Sequence, residues 1–418
     1  MHILYYHLYF HTRDNASGTR SYEMAKRLIE QGHKVTIVCG SEEGKIKFDG
    51  QVHNGYKYGM IEGINIIEIQ TPPYNYANFL QRGFAFLRFG LRGIRLAFKL
   101  DYDLLFATST PLTASIPGII MKWFRKKPFV FEVRDLWPDL PRAMGVIKNP
   151  VVLWAISFLE WLSYRKADAC IGLSPGIVEG IKKRSRKDLP VAMIPNGSDI
   201  DVFSPGRREE LNIDGISETE LAAVFTGAHG IANGLDNVLD AAACLKRMNR
   251  NTIKLIFIGD GQMKEHLLRR VREERLDNCI FLDPVPKKEL NKITGSADLG
   301  MMVLANVPAF YYGTSPNKFF DYLASGLPVI NNYPGWIADL ITENHCGKPV
   351  RPDDPEAFAG MLMWFDDHRD VLQEMSNNAR TLAEKRFNRD LLAADFIACL
   401  ENTAAVYYAK SEQYSQTK

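Results

Sequence analysis

Cysteine is sparse in this sequence and carries no pattern. The six residues, at positions 39, 170, 244, 279, 346 and 399, show neither the paired spacing of a metal site nor a disulfide framework. A reducing cytoplasm is the compartment this implies. No uninterrupted apolar run is clean enough for a membrane span. The opening Met1-His2-Ile3-Leu4-Tyr5-Tyr6-His7 lacks the basic-then-apolar order of a signal peptide and reads as a first strand. The net charge of +2 excludes a general nucleic-acid binder, whose basic surface must be concentrated. There is no fixed-period repeat and no full G-x-G-x-x-G. No acidic D-x-D or metal-type cluster lies near the candidate ligand loops, so neither a metal nor a bound cofactor is expected.

What is present is alternation. At 418 residues two domains are the default, and strand and helix patterns alternate through both halves, as in an α/β chain with two parallel sheets. A hinge near Gly206 divides them into residues 1–205 and 206–387. The organising stretch is Ser315-Pro316-Asn317-Lys318-Phe319-Phe320-Asp321-Tyr322-Leu323-Ala324-Ser325-Gly326. Ser315 is placed to cap a helix and Pro316 to begin it. The free N–H groups of that first turn beside Lys318 suit a diphosphate. Asp321 follows Asn317 by four residues on the same side, where a carboxylate can accept from sugar hydroxyls. Gly326 predicts a left-handed stop.

Other ligand candidates sit after strands. Gly18-Thr19-Arg20 opens the first helix, with Arg20 either serving an anion or standing solvated on the surface. Arg134 and Asp135 follow the strand Phe129–Val133 and are acceptor-side candidates or a mutual ion pair. Gly227-Ala228-His229-Gly230 ends the strand Leu221–Thr226, with His229 either contacting phosphate or structural. Gly259-Asp260-Gly261 ends a further strand and lets a base or ribose approach the backbone. Tyr311 or Tyr312 is placed to cover a sugar face. Residues 78–100 combine basic and aromatic side chains with no acid between Glu68 and Asp101. On a helix, Leu80, Phe84, Leu87, Leu91, Ile94 and Phe98 form the stripe expected to dock inward, leaving Phe79, Phe86 and Phe89 either for an anionic membrane face or for burial by the protein on a second side. Val151 to Arg165 reads as a buried helix with one edge free to face a membrane.

Together these segments resemble retaining glycosyltransferases of family 4. The resemblance rests on S-G-T-R-S-Y-E-x-A-K-R-L, G-x-H-G-x-A-N-G-L-D, F-x-G-x-G, I-P-N-G-S-D and F-D-Y-L-A-S-G, and it extends toward bacterial N-acetylfucosaminyltransferase-like enzymes. It implies a GT-B fold, two Rossmann-like domains facing across a cleft, with the final helix 388–410 returning to the first domain. It implies a UDP-sugar donor, a polyprenyl-diphosphate-linked glycan acceptor, and a place on the inner face of the cell membrane. Lys318, Asp321 and His229 would act at the reacting centre. The donor would lie against Gly227, Gly259, Asp260, Gly261, Ser315, Pro316, Asn317, Phe319 and Tyr312. Gly18, Thr19, Arg20, Arg134 and Asp135 would line the acceptor and phosphate side. Departures accompany the likeness: Gly313 stands where the family has its first acidic residue, and Gly227-Ala228 and Asn233-Gly234 lack the family's diphosphate-gripping cations. Nucleotide-sugar epimerases, phosphorylases and a non-catalytic nucleotide-binding scaffold are the alternatives on such a fold.

Overall fold

The computed structural model describes residues 1–15, 18–41, 46–70 and 79–416. The first sheet contains β1 (His2–Tyr6), β2 (Lys34–Gly40), β3 (Gly50–His53), β4 (Tyr56–Ile61), β5 (Ile64–Ile69), β6 (Leu104–Thr108), β7 (Phe129–Val133), β8 (Ala169–Gly172) and β9 (Val191–Met193). Their order is β3-β4-β5-β2-β1-β6-β7-β8-β9. It is parallel except at one edge, where β3 and β4 pair antiparallel. An all-parallel sheet was expected. The hairpin's exposed, polar β3 needs cover on neither face, so it leaves no buried apolar run to read.

The helices are α1 (Arg20–Glu30), α2 (Phe79–Lys99), α3 (Ile116–Phe124), α4 (Asp139–Ala143), α5 (Pro150–Lys166) and α6 (Pro175–Arg184). Strand alternation sends neighbouring side chains to opposite layers. Tyr5 meets Phe106, which meets Phe396 of the C-terminal helix. Tyr6 turns the other way, its ring against Phe89 and its hydroxyl donating to the Gly93 carbonyl at 2.8 Å. The layer carrying α2, α3, α5 and α6 therefore lies opposite the C-terminal helix.

The burial of α2 reverses the expected faces. Phe89 is fully buried and Phe86 half-buried, whereas Phe84, Leu87, Leu91 and Phe98 are exposed; the side chains of Phe79 and Leu80 lie outside the described residues. Glycine is the cause. A Cβ at Gly93 would lie 2.8 Å from the Tyr6 ring, and one at Gly90 2.7 Å from the Thr113 carbonyl. The face with the smallest residues, not the largest, lets the helix close on the sheet. The α5 helix also departs from expectation. Ser163, Tyr164 and Glu160 face inward, while Val151, Trp154, Phe158 and Trp161 are exposed.

The second sheet, all parallel, runs β12-β11-β10-β13-β14-β15. It comprises β10 (Leu221–Thr226), β11 (Ile253–Ile258), β12 (Cys279–Leu282), β13 (Leu299–Met302), β14 (Val329–Asn331) and β15 (Gly347–Pro349). Around it lie α7 (Leu235–Arg247), α8 (Lys264–Glu273), α9 (Lys287–Ser296), α10 (Ala309–Gly313), α11 (Asn317–Ala324), α12 (Trp336–Glu343), α13 (Pro355–Asp367) and α14 (Leu372–Leu382). Leu221, Ala223 and Phe225 pack with α7 and α13; Ala222 and Val224 pack with α11 and α12. That burial on both faces explains the near-continuous apolar strands.

The last helix, α15 (Arg389–Gln416), packs on α1 of the first domain. The outgoing strand end and the return lie side by side: Ser198 pairs with Asn388. Arg389 donates to the Gly197 carbonyl at 2.6 Å and to Asp199 at 3.0 Å.

Candidate active site

The site is built where β10 and β11 end and α11 begins. Helix α11 starts one residue later than the sequence suggests. Pro316 is the extended flanking residue, and no side chain caps the helix. Ser315 does not cap it because its hydroxyl accepts from Asn196 N at 2.9 Å, while Asn196 Nδ2 donates to the Ser315 carbonyl at 2.6 Å. That pair ties the helix start to the first domain. Gly326 closes the helix in the left-handed region, φ 68°. Phe319 is wholly inside, its ring against Phe320, so its side chain belongs to the core and not to a donor contact.

Lys318 folds back over the sheet end. Its ammonium lies 3.8 Å from the Phe225 ring centroid and donates to Asn233 Oδ1 at 2.9 Å. An ammonium has three N–H donors, and Asn233 is its one acceptor among the described residues. Burial lowers its pKa to about 7. Gly227, at φ 123°, has the Lys318 side chain beside it; a Cβ there would lie 3.4 Å from Cε.

His229 is fully buried between Phe225 and Phe281. Neither ring nitrogen has a hydrogen-bond partner among the described residues. Burial first, then Lys264 and Lys318, lower its pKa to about 4, so it is neutral near pH 7. It offers a phosphate one N–H, not a cation. An unmade bond on a buried polar group costs about 1–3 kcal/mol. The backbone around it is tight: His229 N donates to the Asp260 carbonyl at 2.8 Å, and the Asp260 side chain accepts from Gly261 N at 2.8 Å. A Cβ on Gly259 would collide with the Gly227 carbonyl. Loop-to-loop packing thus already accounts for this glycine.

Asp321 is buried, with Oδ1 accepting from Ser198 at 2.9 Å. Burial raises its pKa, opposed by Lys287 and Arg389. Lys287 itself reaches Thr19 Oγ1 at 3.0 Å across the cleft. Gly18 makes a second crossing, since a Cβ there would lie 2.8 Å from Asn317 Nδ2. Gly18, Thr19, Ser315, Asn317 and Asp321 therefore converge at the domain junction.

Arg20 does not serve an anion, nor is it solvated. It is 1% exposed and donates to Glu132 at 2.8 and 3.0 Å and to the carbonyls of Pro195 and Ile194. Arg134 and Asp135 make no mutual ion pair closer than 4.0 Å. Arg134 Nη1 lies 3.2 Å from His7 Nε2, and Asp135 accepts from Thr110 at 3.2 Å. Burial raises the Asp135 pKa and keeps His7 neutral. Tyr312 is half exposed, its carbonyl against Gly176 of α6. Tyr311 bonds Asn306 at 2.5 Å. His7, Glu132, Ser198, Asp199 and Asn233 entered no sequence expectation for the site. The rule that drew attention to Arg134, a polar side chain at the carboxyl end of a strand, also fits His7.

Residues 17–202 match the family described as Glycosyltransferase Family 4, and residues 220–365 the family described as Glycosyl transferases group 1. The chain is 23% identical over 172 residues to the amylovoran biosynthesis glycosyltransferase AmsK of Erwinia amylovora, 41% of this chain and 42% of that protein. It is 29% identical over 198 residues to a D-inositol 3-phosphate glycosyltransferase of Corynebacterium urealyticum, 44% and 45% of the two chains. The matched stretch spans less than half of either relative. In structure it is similar to sucrose-phosphate synthase of Thermosynechococcus elongatus, with TM-score 0.77, 16% identity, and 97% and 99% of the two chains covered. It is also similar to Anabaena HepE in complex with UDP, with TM-score 0.70, 16% identity, and 96% and 100% covered. WaaG, a glycosyltransferase involved in lipopolysaccharide biosynthesis, gives TM-score 0.67, 14% identity, and 96% and 99% covered. Among the described residues no helix is long and apolar enough to cross a membrane. The chain thus carries a match to the Glycosyltransferase Family 4 model followed by a match to the Glycosyl transferases group 1 model, on a GT-B-type fold.

Proposed function

We propose that the chain is a retaining glycosyltransferase that moves a sugar from a UDP-sugar to a polyprenyl-diphosphate-linked glycan during bacterial O-antigen, capsule or exopolysaccharide assembly. An N-acetylated amino or deoxy sugar such as N-acetylfucosamine is the donor class, and no metal is required. The protein works at the inner face of the cell membrane, meeting an anionic surface through residues 78–100.

The observation that carries the reading is the Lys318 ammonium, half-buried at the mouth of the cleft with a single acceptor among the described residues. In transfer the bond from the anomeric carbon to the diphosphate oxygen breaks and negative charge grows on the leaving group. Lys318 and the N–H groups at the start of α11 would meet that charge, the interaction that most lowers such a barrier. The acceptor oxygen bonds the anomeric carbon on the same face, and its proton passes to the departing phosphate. His229 supplies one neutral N–H to the same phosphates. Asp321 stands at the ribose side, and Arg134 and Asp135 at the acceptor side.

The test is UDP release from a panel of UDP-N-acetylhexosamines and their deoxy forms, with and without a lipid-linked acceptor, in EDTA. Release that needs the acceptor and ignores EDTA is expected. Conversion of the UDP-sugar with no acceptor, or binding without turnover, would overturn the transferase reading.

A further inference from the structure

Most of the exposed large apolar side chains of the first domain lie on α2, α3 and α5, with Val52, Tyr58 and Met60 of the edge hairpin, Val146 and Met193 outside that layer. Trp154, Phe158 and Trp161 of α5 are 68%, 49% and 44% exposed. They follow one another at helical spacing with rings stacked 5.8 Å apart, 11° and 29° from parallel. Helix α3 lies between α5 and α2 and ends in exposed Trp123 and Phe124. Phe124 meets Phe98 of α2 at 5.9 Å. Ring contact thus joins α2 to α3, and the α5 ladder stands on the helix packed next to α3.

Its charge is predominantly basic. Residues 79–99, 116–128 and 150–166 contain eleven Lys and Arg and a single acid, Glu160. Glu160 is buried against Tyr164 and Arg184, so it contributes nothing to the surface; burial raises its pKa to about 7. Cations flank the rings directly. Arg165 lies 5.5 Å from the Trp161 ring and Lys166 4.9 Å from Trp123. Beside Trp154 and Trp161 opens a cavity of about 520 Å³, lined also by Arg142 and by Arg184, which is paired with Asp139 and Glu160 of the same lining. Tryptophan among basic side chains is the composition that settles at the boundary of acyl chains and anionic headgroups. A second copy of the chain would bring one basic excess against another, which disfavours it as occupant.

We infer that α5, together with the end of α3, is the principal membrane-seating element, and that it lies in the plane of an anionic bilayer with the Trp154, Phe158 and Trp161 ladder inserted. This deepens the membrane contact proposed above, which residues 78–100 would complete as a flank and not as its centre.

Flotation of the full chain with vesicles rich in phosphatidylglycerol, against pure phosphatidylcholine vesicles, tests it. Wild type is expected to float with the former, with a blue shift in tryptophan emission. A Trp154→Ser, Phe158→Ser, Trp161→Ser variant is expected to lose at least about tenfold in partitioning, because it removes three inserted aromatic side chains. Leu87→Ser with Leu91→Ser should lose less. UDP binding, measured without lipid, reports that each variant is folded and is independent of the membrane, so failure here leaves the transferase reading standing. The inference is overturned if the α5 variant floats as wild type does, or if the α2 variant loses more. It is also overturned if wild type in lipid-free solution is a dimer that the α5 variant breaks to monomer.

Discussion

Arg20 and Lys318 are two basic residues, each in the first turn of a helix, and their surroundings differ. Arg20 donates twice to one oxygen of Glu132 and to two carbonyls, and the other Glu132 oxygen accepts from Thr108 at 2.8 Å. Lys318 has one amide oxygen and the face of a ring. A buried charge whose bonds are complete is architecture, locking α1 to β7 and to the crossover between domains. A half-buried one left with open donors among the described residues, next to a histidine whose nitrogens are likewise unpartnered there, is suited to receive something. Both residues were candidates for the same anionic role, and only the count of their partners separates them.

The largest effect expected from breaking this contrast is on the first residue. Arg20→Ala strands Glu132 inside the sheet and should destabilise the protein by about 3–5 kcal/mol, seen as a lowered urea midpoint; an unchanged midpoint would show that the pair is dispensable. Lys318→Met should do the reverse, cutting transfer by well over tenfold, more than about 1.4 kcal/mol of barrier, while stability at neutral pH rises. The pH sign sharpens this. Because Lys318 holds its proton less tightly in the folded chain than in the unfolded one, the cost of its burial is full below about pH 7. That cost is relieved as pH rises toward the ordinary lysine range. Wild type should therefore gain stability relative to Lys318→Met on going from neutral to alkaline pH, read as converging melting temperatures. His229→Leu is the smallest change. It removes a buried polar ring, so stability should hold or rise by about 1 kcal/mol, while UDP affinity drops severalfold in calorimetry. A loss of stability with unchanged affinity would make the ring purely structural.

Much of the fold was legible because parallel strands buried on both faces leave long apolar runs, and because Gly326 and the strand-end glycines mark stops. The register of burial on α2 was not. Hydrophobic size pointed to Phe84 and Leu91 as the inner face, but Gly90 and Gly93 decide which face closes against Tyr6. At the site, Lys318 and His229 were legible as residues at strand and helix ends. Their partners were not, because Asn233, Ser198 and Glu132 lie 85, 123 and 112 positions from Lys318, Asp321 and Arg20. No local pattern encodes such pairs. The same distance hid Ser315's attachment to Asn196, which displaced it from the capping role its neighbours suggested.

The claim that Lys318 receives the diphosphate is tested most directly by proton uptake on UDP binding. Calorimetry near pH 8 would be run in two buffers of different ionisation enthalpy, for wild type and Lys318→Met. With the free lysine titrating at about 7, binding should draw up to about one proton onto wild type and none onto the variant. Equal uptake by both proteins, or none by either, would contradict it.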